Sequence, residues 1–124
     1  MENLRLGIEY FNQGKYWEAH EAWELEWLKL QGSEKIYLQA MIQVAAMGVL
    51  LQKGRSEPAR RLVQSALAKL AAVHLEITSF SPRVEIPGVE NVLRELDRSD
   101  KNWMEKLAPL RASLVLSSGE LCRT

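Results

Sequence analysis

Cysteine is almost absent from this sequence. Cys122 stands alone, so no internal disulfide can form and no Cys-x-x-Cys redox or zinc motif exists. A lone thiol suits a reducing compartment, and a cytoplasmic location is the expectation. Excess charge is also missing: 16 Lys and Arg balance 16 Asp and Glu. The densest basic group, Arg55, Arg60 and Arg61, is interrupted by Glu57. No stripe is left to hold a polyanion, so neither nucleic acid nor an anionic membrane is an expected partner. The longest apolar run, Ala40 to Leu51, contains Gln43 and falls short of the roughly 20 residues that a spanning helix needs. The opening Met1-Glu2-Asn3-Leu4-Arg5 lacks the basic-then-apolar order of a secretory leader. No glycine loop for phosphates and no nucleophile elbow occurs. No stretch alternates with period two, which predicts no sheet.

The chain does carry helical periodicity, and enough apolar residues (47%, against 26% charged) to fill one core. The pattern predicts an all-α, single-domain helical bundle of five to six helices over residues 1–116, with 117–124 as a frayed tail. Asn3 caps a first helix that carries Leu4, Ile8 and Phe11 on one face and stops at Gly14. A second runs from about Lys15 to Leu30, with Tyr16, Ala19, Trp23, Trp27 and Leu30 as its apolar stripe. Glu18, Glu26 and Lys29 read as its solvent side. Ser33 caps a third helix, about Glu34 to Lys53, which is apolar almost all round and therefore central. A fourth follows from Ser56, with Pro58 in its first turn. Thr78 to Gly88 reads as a surface strap. Shorter helices are expected at about Val89 to Arg98 and from near Asp100 to Pro109. The triplets Gly14-Lys15-Tyr16 and Gly54-Arg55-Ser56 mark two helical hairpins rather than a solenoid repeat. The expected core draws on Tyr16, Trp23, Trp27, Met41, Val44, Ala45, Leu62, Ala66 and Leu70.

The residues with chemical potential concentrate on the second helix. His20 and Glu24 stand four apart and share a face at the edge of the apolar stripe. A neutral imidazole and a carboxylate at that spacing can hold one divalent ion such as zinc, manganese or iron, with Glu21 as base for a bound water. The same pair can instead be structural, hydrogen-bonded to fix how the second helix meets the third. Polar groups inside an apolar arc need partners, because stranding one costs about 1–3 kcal/mol. Gln43, with Gln39 one turn away, is the polar residue on the third helix best placed to meet His20. Tyr16 and Trp27 flank the pair. His74 falls near the end of the fourth helix, where an imidazolium meets the negative end of the dipole. Two function classes follow. One is a metal-assisted hydrolase. The other is a non-catalytic helical module that binds a peptide or small ligand against its aromatic surface, with self-association left open.

The segment Phe11-Asn12-Gln13-Gly14-Lys15-Tyr16-Trp17-Glu18-Ala19-His20-Glu21-Ala22-Trp23-Glu24 resembles the signature of the prokaryotic family called domain of unknown function 309. The likeness continues at Leu38-Gln39-Ala40-Met41-Ile42-Gln43-Val44-Ala45-Ala46 and through the turn at Gly54. It implies a helical fold and, by the family's label, a metal-dependent hydrolase without an established substrate. Carried over by position, it marks His20, Glu21, Glu24, Trp27 and Gln43. Leu50 stands where the resemblance leads one to expect a further histidine, which leaves the implied metal site one ligand short.

Overall fold

Two glycines set the corners of the N-terminal half. In the computed structural model, which describes residues 2–73, 86–96, 110, 114–115 and 121–122, Gly14 and Gly54 adopt φ of 78° and 74°. That left-handed conformation costs residues with a Cβ about 1–2 kcal/mol. Each glycine closes the same helix-ending motif. Lys15 N donates to the Tyr10 carbonyl at 2.8 Å and Gly14 N to the Phe11 carbonyl at 3.0 Å. Arg55 N donates to Leu50 at 2.9 Å and Gly54 N to Leu51 at 3.0 Å. These are the paired bonds of a Schellman cap, which satisfy carbonyls the helix leaves open. Gln52 Nε2 then donates to the Gly14 carbonyl at 2.9 Å, tying one corner to the other.

The corners separate α1 (Glu2–Asn12), α2 (Tyr16–Trp27), α3 (Gly32–Gln52) and α4 (Ser56–Val73), followed by α5 (Ile86–Leu96). The all-α class and the apolar third helix are as the periodicity predicts. Helix α3 packs against α2 on one side and α4 on another, while α1 covers α2 and α5 rests on α4. Ten of the 21 residues of α3 are buried, including Leu38, Met41, Val44, Ala45 and Met47. By length and a mean hydropathy of 1.2 over its most apolar window this helix could cross a bilayer, contrary to the expectation drawn from Ala40 to Leu51. A core helix enclosed by neighbours has the same composition.

Aromatic rings on α2 seat in glycine notches on both neighbours. The Trp23 indole lies where a side chain at Gly7 of α1 would be, and the Tyr16 ring lies 2.5 Å from where a Cβ at Gly48 of α3 would stand. Phe11 joins the two, edge-on to Tyr16 at 5.2 Å and stacked with Trp23 at 5.7 Å. Trp23 Nε1 donates to the Leu4 carbonyl at 3.1 Å, so the buried ring leaves no stranded donor. On α4, Ala59, Val63, Ala66 and Leu70 form the stripe against α3. Of the expected core, Trp27 and Leu62 are only partly buried, packed against its edge.

Several local expectations are corrected. Asn3 lies within α1 rather than before it, and its amide reaches Glu26 instead of the helix end. Ser33 sits inside α3, whose N-cap position is Gln31. Pro87 and Gly88, expected in a strap, belong to the first turn of α5, where a missing N–H is harmless. A short antiparallel pair joins Leu114–Val115 (β1) to Leu121–Cys122 (β2), where no strand is expected from the sequence. The expected sixth helix, most of the strap and His74 lie outside the described residues.

Candidate functional site

Helix α2 is apolar on two sides for different reasons. Its inner arc, Tyr16, Ala19, Ala22 and Trp23, is buried against α1 and α3. Its outer arc carries large apolar side chains that nothing covers: Trp17 is 55% exposed, Leu25 54% and Leu28 69%. His20 and Glu24 stand at the border between these arcs.

The His20 side chain is 20% exposed and that of Glu24 54%, with Nε2 to Oε1 at 3.7 Å. Trp17, one turn earlier, lays its ring on the imidazole, nearly parallel (9°) at 5.4 Å between centroids. The imidazole is therefore held by a carboxylate on its outer nitrogen and an indole on its face. Its inner nitrogen, Nδ1, is buried and has no hydrogen-bond partner among the described residues. Trp27, another turn along, carries the Lys35 ammonium 4.2 Å above its ring, a cation–π contact that shields that edge of the helix.

The remaining residues singled out from the sequence do not gather at this pair. Gln43 turns to α4, where Nε2 donates to Ser65 Oγ at 3.1 Å, and Lys69 Nζ donates to the same oxygen at 2.8 Å. Gln43 Oε1 has no hydrogen bond among the described residues, so the expected link between His20, Glu24 and Gln43 is not formed there. The helix that carries Gln43 is apolar all round, and its pattern gives no sign of which neighbour a polar residue will face. Tyr16 is buried in the core with its ring against Gly48. Glu21 is exposed and, as the next residue after His20, projects about 100° away around the helix. It lines an open groove of about 440 Å³ between α1 and α2, which Glu24 also borders, together with Leu6, Tyr10, Glu18, Leu25 and Leu28.

Glu26 overturns a further expectation. Read as solvent-facing, it is 6% exposed. Seen down the helix it falls between Ala19 and Ala22, on the arc that α1 covers. Asn3 Nδ2 donates to its Oε1 at 3.2 Å, and Lys29 Nζ lies 3.7 Å from the same oxygen. The outer leucines were legible, since Leu25 and Leu28 lie far from the Tyr16–Trp23 stripe.

Residues 4–62 match the model of the family described as domain of unknown function (DUF309). This stretch belongs to the DUF309 family. No curated protein and no solved structure matches the chain. The DUF309 stretch covers nearly all of α1, the whole of α2 and α3, and the start of α4. It thus contains both glycine corners, the His20–Glu24 pair and all of the groove's lining but Asn3, and stops before α5. Within it, His20 and Glu24 are joined by no third His, Cys, Asp or Glu in an arrangement fit for a metal, among the described residues. Leu50, where the resemblance suggested a histidine, packs partly buried against the core. Two donors are one fewer than the three protein ligands typical of catalytic zinc.

Proposed function

We propose that this chain is a non-catalytic helical binding module whose recognition surface is the outer face of α2 with the groove it forms against α1. One observation carries the reading: three large apolar side chains, Trp17, Leu25 and Leu28, are more than half exposed on a helix whose other arc is fully packed. Apolar surface gathered beside a groove usually marks a docking site. In this reading the His20–Glu24 pair is structural. It holds Trp17 in a fixed pose, and a rigid indole loses little conformational freedom on binding. The reading includes a cytoplasmic location and no nucleic-acid or membrane partner, in keeping with one cysteine and balanced charge.

A second reading, metal-assisted hydrolysis, draws support from the 3.7 Å approach of His20 and Glu24 on one helical face. The donor set does not fit a catalytic centre, so no reaction step is derived from it. Elemental analysis of protein purified without chelators or a metal column separates the two. The module reading predicts substoichiometric metal and a melting temperature unchanged by chelation. Stoichiometric zinc, manganese or iron that disappears in His20→Ala would establish the metal reading instead.

A further inference from the structure

We infer that the groove between α1 and α2 receives a basic amphipathic helix from a partner protein, an inference that rests on the binding-module reading and names its partner class. The floor is apolar: Leu6 and Tyr10 of α1 are half-buried, while Leu25 of α2 and Leu28, the residue that caps its C-terminal end, are largely exposed. Leucines three apart on a helix offer the ridge that a second helix packs against. The rim is acidic. Glu18, Glu21 and Glu24 also border the groove, each three residues from the next, so their Cα atoms rise by about 4.5 Å per step along the helix. Lys or Arg residues spaced three or four apart on a docked helix meet that ladder in register.

Charge decides between occupants. Glu18 and Glu21 have no ion-pair partner among the described residues, and Glu24 meets only the imidazole of His20. A second copy of the chain, docked face to face about a two-fold axis, would set Glu18 against the other copy's Glu24 and Glu21 against its own counterpart. Like charges held that close across an interface are a specificity barrier, not a contact. Nucleic acid and anionic bilayers are repelled by the same ladder. A basic helix satisfies the carboxylates and covers the leucines together.

The test uses the full chain, isotopically labelled, titrated with three synthetic helical peptides. All three share one leucine stripe, and their polar faces are lysine and arginine, glutamate, or glutamine. The basic peptide should shift the resonances of Leu6, Tyr10 and the Glu18-to-Leu28 face, and its affinity should fall steeply as salt rises. Glu18→Lys/Glu21→Lys should weaken that peptide by at least about tenfold and confer binding of the glutamate peptide. Both positions are exposed, so the variant folds, and its unaltered core resonances verify this. Equal binding of the glutamine or glutamate peptide to the same face would overturn the basic partner and leave the module reading standing. Self-association that seals the groove would overturn it in favour of a second copy. If no peptide perturbs the α2 face, both the inference and the module reading fail.

Discussion

At the scale of single residues, α2 divides its side chains between two tasks. Trp23 holds the bundle: it is fully buried, stacks on Phe11, fills the notch at Gly7 and donates to Leu4. Trp23→Ala should cost about 3–5 kcal/mol, a large part of the roughly 5–15 kcal/mol that stabilises an ordinary domain. Urea unfolding checks this, and an unchanged midpoint would make Trp23 peripheral. His20 behaves differently. At the edge of the apolar stripe, a Glu24 that loses its partner is expected to be left in a partly apolar setting. In the structure that carboxylate is half in solvent, and an exposed pair is worth about 0–1 kcal/mol. His20→Ala should therefore lower stability by no more than about 1 kcal/mol, and a loss well beyond that would show that the pair holds the bundle together and not only the pose of Trp17.

At the scale of elements, the helix corners were legible because only glycine suits them. Gly14 and Gly54 end helices in the same backbone geometry, and their shared setting in the sequence reflects that. Gly54→Ala should cost about 1–2 kcal/mol, with a similar loss for Gly14→Ala, both read from thermal unfolding. A neutral result at either would mean that the turn is not held in the left-handed form. The faces of the helices were less legible. The burial of Glu26 depends on Asn3 from another helix reaching it, which no local pattern announces. Gln43 was assigned to the wrong neighbour because α3 is apolar around its circumference. The β1–β2 pair is only two residues long on each side, too short for alternation to register.

At the scale of the molecule, the DUF309 stretch forms a hairpin, α1–α2, laid against α3, with α4 on α3's other side. The interior is closed by Trp23, Phe11, Met41 and Met47, all buried, so the proposed recognition surface lies on the outside of the hairpin. That division was half visible in the sequence. The cluster at His20 stood out by residue type, whereas the groove needs α1 and α2 placed side by side before Leu6 and Leu25 belong to one surface. The central claim is that the apolar residues on the outer face of α2 serve recognition and not folding. The melting temperature of Leu25→Ser/Leu28→Ser tests it most directly. Side chains already exposed contribute little to stability, and sites kept for function often hold it down, so the account predicts a value equal to or above that of the unaltered chain. A drop of several degrees would contradict it, by showing that these leucines belong to the fold.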